Sequence, residues 1–221
     1  MKRFHVLTSI LLFSLLLTGC AGTYKRIYPP AVNYSNNDVS QGISFSYRYD
    51  VLRERGNRKF AKKETMRGVK VVAVRLTNNY DFPVTVGRDI NFYSGENLIT
   101  VLDPFVAKQM LKQSAPTYLL YLLMTPLTFN IINSQGRVTD SYPIGLILGP
   151  GIAAGNVITA SSANGNLFRD LSEYNIMGKD IRPGETVYGL LAISQFGYDP
   201  ISIRFTETID VNKEIGMKGN K

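Results

Sequence analysis

Residues 69–86 read VKVVAVRLTNNYDFPVTV, and the fold prediction starts from this stretch. Val69 to Leu76 are mostly β-branched and apolar, which is typical of a strand buried in the middle of a sheet. The residues TNNYDFP then supply asparagine, aspartate and proline for a turn, and Val84–Val86 begins another short strand. The stretch therefore indicates a central strand followed by a turn and a second strand.

Further strands are predicted on both sides of this stretch. Residues 43–51, ISFSYRYDV, alternate apolar and polar side chains with period two, which is typical of a half-buried strand. A Pro-Gly pair at 183–184 predicts a turn before one of the later strands. The remaining predicted strands are Ile90–Tyr93, Leu98–Leu102, Thr186–Ser194 and Ile201–Phe205. Short strands separated by turn signals predict a β-sandwich.

Two fragments, VVAVRLTNNYDFPVTV at 71–86 and IRPGETVYGLLAI at 181–193, resemble immunoglobulin-like domains of bacterial envelope lipoproteins. In those domains a strand that ends in an asparagine-rich turn is followed by a Pro-Gly-Glu turn and a late strand. The resemblance covers about half of the chain. It implies an immunoglobulin-like β-sandwich over residues 42–210.

Residues 103–178 depart from a minimal sandwich and predict a helical insertion. The Asp-Pro pair at 103–104 is typical of an N-cap with proline in the first helical turn, and the helix is expected to run to about Gln113. Two apolar stretches follow, at about 117–132 and 142–165, joined by a polar turn. The fold class predicted is mainly β with an α insertion, the insertion being an apolar helical hairpin.

Between Lys112 and Arg169 only Arg137 and Asp140 are charged, and this uncharged block admits three interpretations. In the first, the run GPGIAAG at 149–155 is a phosphate-binding loop that opens a helix. A proline within the run removes one N–H donor, and no Lys-Ser or Lys-Thr pair comes after the glycines. A nucleotide partner is therefore not predicted.

The second interpretation places the uncharged block in a membrane. The pairs Gly145/Gly149 and Gly151/Gly155 would allow helices to approach closely in lipid. The first apolar stretch, however, is shorter than the roughly 20 residues needed to span a bilayer.

The third interpretation is a buried helical pair packed on the sandwich, since Tyr118, Leu119, Leu122 and Leu123 recur at helical spacing. A surface helix normally has a polar side, but charge is missing from all faces of this block. Its outer face is therefore expected to meet a partner, either another subunit or an outer-membrane β-barrel. The candidate residues for contact with a partner or the membrane are Leu119, Leu122, Leu123, Gly151 and Gly155.

The N-terminus resembles the export signal of a bacterial lipoprotein. Lys2 and Arg3 precede an apolar run, Val6–Leu17, which is too short to span a bilayer. Leu17-Thr18-Gly19-Cys20 then resembles the lipobox of Gram-negative outer-membrane lipoproteins. The resemblance implies that residues 1–19 are a signal peptide and that Cys20 becomes the lipidated first residue. A plain signal peptide with an incidental cysteine is the alternative.

The lipobox resemblance also implies a location. Ala21, and not aspartate, follows Cys20, which implies sorting to the outer membrane, and the lack of an acidic run favours the periplasmic side. Several acyl chains on Cys20, such as palmitate, would anchor the protein stably. Residues 20–41 are polar and predict a lipidated tether, and residues 211–221 predict a disordered tail.

Composition excludes several kinds of chemistry. The only histidine is His5, inside the signal, and the only cysteine is Cys20. Triads with histidine, histidine metal sites and thiolate zinc sites are therefore not expected. We predict no catalytic residue, no metal site and no cofactor beyond the lipid. A hydrolase that acts on glycans through two carboxylates is the enzymatic alternative.

Positive charge is concentrated in residues 53–70, RERGNRKFAKKETMRGVK, within a chain of formal net charge +8. This segment has eight basic and two acidic residues, and it is predicted to be a loop or a strand extension. Arg58, Lys59, Lys62 and Lys63 are candidates for binding lipid A phosphate, an anionic glycan or an acidic protein. Phe60 is the only aromatic residue in the segment, so nucleic acid is not predicted. A solvated loop without a ligand is the alternative.

Together these features predict a non-enzymatic, lipid-anchored protein of the outer membrane. It would be an accessory or structural subunit that docks to a partner through its uncharged insertion. The alternative function is a binding module for an anionic envelope ligand through residues 53–70.

Overall fold

The computed structural model describes residues 19–40 and 42–206. Most of the predicted signal peptide and the whole predicted tail at 211–221 lie outside these residues, whereas Cys20 lies within them. The described chain divides into two compact units. We call residues 25–112 and 166–206 the sheet unit, and residues 19–24 and 113–165 the apolar unit.

The main sheet of the sheet unit has five antiparallel strands in the order β1-β2-β3-β11-β7. The strands are β1 (Asn36–Ser40), β2 (Ile43–Arg48), β3 (Val69–Asn78), β7 (Val101–Leu102) and β11 (Thr186–Ser194). Strand β3 lies in the centre, as its apolar sequence predicts, and β11 has the predicted bounds. The predicted Pro-Gly turn is also confirmed, with Gly184 at φ 73° and the Glu185 N–H donating to Arg182 O.

Two smaller antiparallel sheets complete the β structure of the sheet unit, with strand orders β12-β5-β6 and β10-β4. Their strands are β4 (Val84–Thr85), β5 (Ile90–Ser94), β6 (Asn97–Leu98), β10 (Asp180–Ile181) and β12 (Ser202–Phe205). The strand predicted at Leu98–Leu102 is divided, because Leu98 pairs with β5 whereas Val101 and Leu102 pair with β11.

The core of the sheet unit lies between side chains of the main and the smaller sheets. The rings of Phe45 on β2 and Phe92 on β5 have centroids 5.7 Å apart. Val72, Val74 and Leu76 on β3 join the same buried cluster. The described fold is mixed, with 36% helix and 29% strand in antiparallel sheets. The prediction of a mainly β protein understated the helices.

Three helices of the sheet unit pack against the central strand of the main sheet. They are α1 (Val51–Glu54), α2 (Arg58–Arg67) and α3 (Pro104–Leu111), and each packs against β3. The prediction of a loop or strand extension for residues 53–70 is wrong, because most of this segment is helical. Phe60, Ala61 and Glu64 fall on one buried face of α2, and Gly68 ends the helix at φ 62°.

The predicted tether at 20–41 is also wrong, because most of it is folded into the sheet unit. Lys25 exchanges two hydrogen bonds with the buried Asn57 amide, at 2.7 and 2.8 Å. The Ile27 N–H donates to Asp170 Oδ2 at 2.8 Å, and Ile27 itself is buried. A short 3-10 helix, Pro29–Ala31, and β1 come next along the chain. Polar composition alone did not reveal these long-range contacts.

The apolar unit contains a 3-10 helix at Ala115–Met124, then β8 (Phe129–Ile132) and β9 (Val138–Tyr142), which form an antiparallel hairpin. The prediction of a helical hairpin is therefore wrong for its first arm. Proline occurs at 116 and 126, and each proline disfavours a continuous α-helix. Phe129, Ile131 and Ile132 suit a strand.

Helix α4 (Gly145–Glu173) forms the second arm, and its residues up to Gly165 belong to the apolar unit. The run at 149–155 is helical, so its N–H groups serve the helix and form no phosphate-binding loop. Pro150 lies in the second turn of the helix. The 29 residues correspond to about 44 Å of helix.

Candidate functional site

Exposed apolar side chains are concentrated in the apolar unit. Of the 22 large hydrophobic residues exposed in the described chain, 15 lie between Leu119 and Ile158. The most exposed of these 15 are Leu123 at 77%, Ile147 at 79% and Ile158 at 68%. Monomeric proteins rarely expose contiguous apolar patches of more than a few hundred Å² without an interaction at that surface. This unit is therefore the candidate functional site.

The predicted contact residues of the first arm lie on this exposed surface. Leu119, Leu122 and Leu123 are 51%, 44% and 77% exposed, and of the 3-10 helix only Tyr118 is buried. The interpretation of a buried helical pair is thus wrong for this arm. The spacing of these leucines suits one face of an α-helix. The segment is a 3-10 helix, which has a different periodicity, and the leucines point outward.

Helix α4 is buried along one narrow stripe. Within the apolar unit the buried residues of this stripe are Gly145, Gly149, Ala153, Asn156, Ala160, Ala163 and Asn164. By length and composition alone α4 is able to cross a membrane, and 28% of its most apolar 18-residue stretch is buried. Most of its apolar surface is therefore available to an environment outside the chain.

The two predicted glycine pairs of α4 differ in how closely other residues approach them. A β-carbon at Gly145 would lie 2.2 Å from Met124 O, and one at Gly149 would lie 3.0 Å from Thr125 Oγ1. A β-carbon at Gly151 or Gly155 would meet nothing within 4 Å. The close approach within the unit thus occurs at the first pair of glycines. The predicted contact residues Gly151 and Gly155 lie on the open face.

Buried amide side chains hold the segment that comes after Cys20. The Ala21 N–H donates to Asn156 Oδ1 at 2.5 Å, and the Gly22 N–H donates to Gln113 Oε1 at 2.9 Å. Gln113 Nε2 returns a hydrogen bond to Gly22 O at 2.7 Å. These bonds fix the backbone immediately after the predicted lipidation site against the apolar unit.

A third amide fixes Gln113 itself. The Gln113 N–H donates to Asn164 Oδ1 at 2.8 Å, and Asn164 Nδ2 donates to Gln113 O at 2.9 Å. Asn156 and Asn164 are eight residues apart, so they lie on one face of α4. We name Gln113, Asn156 and Asn164 the amide clamp. Sequence analysis treated these asparagines only as polar interruptions of an apolar stretch. Their spacing on one helix face could have indicated a shared role.

An apolar groove lies beside Cys20. Its volume is about 490 Å³, and its lining includes Gly19, Leu120, Tyr121, Leu123, Met124 and Leu127. Cys20 is exposed and forms a side-chain hydrogen bond with Tyr121. A β-carbon at Gly19 would lie 2.7 Å from Tyr121 Oη, so the backbone at Gly19 packs closely against this side chain.

The predicted anion-binding residues lie together on α2, in the sheet unit. Arg58 and Lys62 are exposed, one turn apart, and Lys59 and Lys63 are half-buried beside them. In the described part of the chain, Arg58, Lys62 and Lys63 form no ion pair with a carboxylate. The structure therefore brings the four basic residues to one helix, with Arg58 and Lys62 exposed to solvent.

Beneath this basic surface lies a buried carboxyl group that the sequence did not single out. Glu64 is 2% exposed, and the Val71 N–H donates to its Oε1 at 2.6 Å. Burial raises the pKa of Glu64 to about 7, against a smaller opposing effect of the Val71 hydrogen bond and of Lys70. Its contact with the β3 backbone indicates a role in joining α2 to the sheet.

Within residues 19–40 and 42–206, no three His, Cys, Asp or Glu side chains come together as a metal site would require. The expectation of no metal and no cofactor stays a prediction. No protein-family model, curated protein or solved structure matches the chain. A functional proposal for this chain therefore depends on its residues, contacts and chemistry, and the resemblances at 17–20, 71–86 and 181–193 stay predictions.

Proposed function

We propose that the chain is a non-enzymatic lipoprotein of the Gram-negative outer membrane, anchored through Cys20 and facing the periplasm. It acts as an accessory or structural subunit that docks to a membrane partner through its apolar unit. The sheet unit is proposed to be an immunoglobulin-like β-sandwich. One observation carries the docking proposal: the exposed apolar side chains are concentrated in the unit that also contains Cys20.

Leaving these apolar side chains in water costs free energy. Full burial of a Leu, Ile or Phe side chain is worth about 1.5–3 kcal/mol. Thirteen exposed Leu, Ile and Phe side chains, together with Val138 and Tyr142, give this unit a large unused driving force for association. A soluble, isolated unit with this surface would tend to aggregate, whereas a unit tethered to a membrane meets apolar surroundings directly.

The β8–β9 hairpin favours a protein partner over lipid alone. All nine residues of these strands are exposed, and the two strands pair only with each other in the described chain. Their outer edges therefore present N–H and C=O groups that hydrocarbon cannot satisfy. A protein partner can supply hydrogen bonds to these edges, and it can also cover the apolar face of α4.

The anchor is tested by Cys20→Ala. Cells that express wild-type or variant protein are labelled with palmitate, and the purified chains and membrane fractions are compared. We expect label and outer-membrane association in the wild type and loss of label in the variant. Equal labelling of both chains would refute lipidation at Cys20.

Docking is tested with two triple variants matched in number and exposure of the residues changed. The first changes Leu146, Ile147 and Ile158 to serine, and the second changes Met66, Leu98 and Phe196 of the sheet unit. Both chains are crosslinked in intact envelopes and affinity-purified. We expect the first variant to lose its crosslinked partner and the second to keep it. Retention of the same partner by both variants would exclude the apolar unit as the interface.

A second candidate function is supported by the basic face of α2. Arg58, Lys62 and Lys63 form no carboxylate ion pair in the described chain, and such cations attract anionic headgroups, each contributing about 1 kcal/mol near a charged membrane. The test is charge reversal of these three residues and Lys59 to glutamate in the full chain. We expect the wild type to bind vesicles that contain phosphatidylglycerol in a salt-sensitive manner. We expect the variant to bind them more weakly. Binding that is unchanged by the reversal and insensitive to salt would count against this candidate.

A further inference from the structure

We propose that the acyl chain amide-linked to the Cys20 nitrogen lies in the apolar groove of the apolar unit. The groove is the cavity of about 490 Å³ whose lining includes Gly19, Tyr121, Leu123 and Leu127. This inference rests on the proposed lipidation of Cys20. It goes further by assigning an intramolecular site to one of the attached chains.

The position of Gly19 is the first argument. Hydrolysis of the Gly19–Cys20 peptide bond by water releases Gly19 as a carboxylate and frees the Cys20 amine. An ester lipid then donates its acyl group to this amine and leaves as its alcohol, so that a new amide replaces the peptide bond. The acyl carbonyl thus takes the place of the Gly19 carbonyl. Because Gly19 lines the groove, the acyl chain begins where Gly19 lay.

The chemistry of the lining is the second argument. The groove wall consists largely of leucine, tyrosine and methionine side chains from residues 117–127, together with Thr117 and Gly19. Methionine at 124 is flexible and fills irregular apolar space. The volume is within the range of sites that hold small apolar ligands, which is roughly 300–1,000 Å³. A saturated acyl chain matches this wall, which offers few hydrogen-bonding groups.

The amide clamp is the third argument, because it fixes the point from which the chain starts. Ala21 and Gly22 are held by Asn156 and Gln113, and Tyr121 hydrogen-bonds with Cys20. A free tether would let every acyl chain sample the bilayer equally. A start fixed at the groove raises the effective concentration of one chain at this site.

Energetics allow one chain to leave the bilayer. Each CH₂ group gains a similar free energy on leaving water, whether it enters lipid or the groove. Stable anchoring takes two chains, and Cys20 is proposed to carry several. One chain in the groove therefore leaves enough chains for the anchor. It also covers Leu120 and Leu123, which are 62% and 77% exposed.

The test uses a palmitate analogue that carries a diazirine and an alkyne. Cells expressing the full chain are labelled and irradiated, and the protein is purified through the alkyne. Mild alkali then removes ester-linked chains and leaves the amide-linked chain. Mass spectrometry identifies the residues that are crosslinked to Cys20 through this chain.

We expect the crosslinks to fall within residues 117–127. Leu123→Gln in the groove should reduce their yield severalfold, whereas Phe196→Gln in the sheet unit should not, although both side chains are 77% exposed. Label on Cys20 with crosslinks only elsewhere, or spread equally over residues 144–158, would overturn the groove assignment and leave the anchor intact. No label on Cys20 would overturn the proposed anchor, and the groove assignment with it.

Discussion

At the scale of the residue, Asn78 shows how one buried amide organises a turn between strands. It is completely buried at the end of β3. Its Nδ2 donates to Phe82 O at 2.8 Å and to Ile181 O at 2.9 Å, and its Oδ1 accepts from the Tyr80 N–H at 2.9 Å. Removal of the amide would leave three buried or half-buried backbone groups without these partners.

We therefore predict that Asn78→Ala lowers the free energy of unfolding by about 2–3 kcal/mol. Asn79→Ala is the matched control, because Asn79 is exposed and its side chain donates to Ser44 Oγ. Its effect is expected to stay within about 0.5 kcal/mol. Urea denaturation followed by circular dichroism measures both variants. Equal effects of the two substitutions would contradict the role assigned to Asn78.

Glu64 makes stability depend on pH. Its pKa in the folded protein is about 7, above its ordinary value of 4.5, because the carboxyl group is buried. The folded state therefore binds the proton more tightly than the unfolded state. This contribution to stability is complete below about pH 4.5 and is lost as the pH rises through about 7.

Glu64→Gln removes this titration while keeping the size and polarity of the side chain. Between about pH 4 and pH 8, we expect the free energy of unfolding of the wild type to fall by on the order of 3 kcal/mol relative to that of the variant. Glu54→Gln is the control, because Glu54 is an exposed glutamate. Above about pH 6 its free energy of unfolding should change with pH as in the wild type. Chemical denaturation across this pH range measures the slopes. Parallel curves for the wild type and Glu64→Gln would contradict the assignment.

At the scale of the element, alanine substitutions at two glycines of α4 are expected to have opposite effects on stability. Gly145→Ala places a β-carbon 2.2 Å from Met124 O, so it should destabilise the apolar unit by about 1–3 kcal/mol. Gly151→Ala meets open space and should be neutral or stabilising by up to about 1 kcal/mol. Thermal unfolding of the detergent-solubilised chain compares the two. Destabilisation by Gly151→Ala equal to that by Gly145→Ala would contradict the described packing.

The strands show what local sequence determines. β3 and β11 arise from apolar, β-branched runs bounded by turn residues, and they form neighbouring strands of the main sheet. Local signals for α2 were also present. Phe60, Ala61 and Glu64 share a helical face, and Gly68 supplies the left-handed end. The run of charge masks this periodicity, which is why a loop was predicted in place of α2.

The apolar unit shows where local sequence is insufficient. Apolar residues at i, i+1, i+4 and i+5 suit an α-helix, but prolines at 116 and 126 favour other structure. The amide clamp joins Gln113 to Asn164, 51 residues away, and Asn156 to Ala21, 135 residues away. Such pairs depend on tertiary structure. Sequence therefore identified the uncharged block and Cys20, but it did not place Cys20 beside that block.

At the scale of the whole molecule, the described chain separates two kinds of surface between its two units. The sheet unit buries its core between sheets and carries the basic face of α2. The apolar unit holds Cys20 and presents most of the exposed large hydrophobic residues. This division is what the proposed docking through the apolar unit requires.

The most direct test of docking is photocrosslinking at single positions in intact envelopes. A photoreactive phenylalanine replaces Ile147 of the apolar unit or Phe196 of the sheet unit, which are 79% and 77% exposed. We predict a discrete protein adduct at Ile147 and none at Phe196. Lipid adducts alone at Ile147, equal adducts at both positions, or no adduct at Ile147 would contradict docking to a protein partner through the apolar unit.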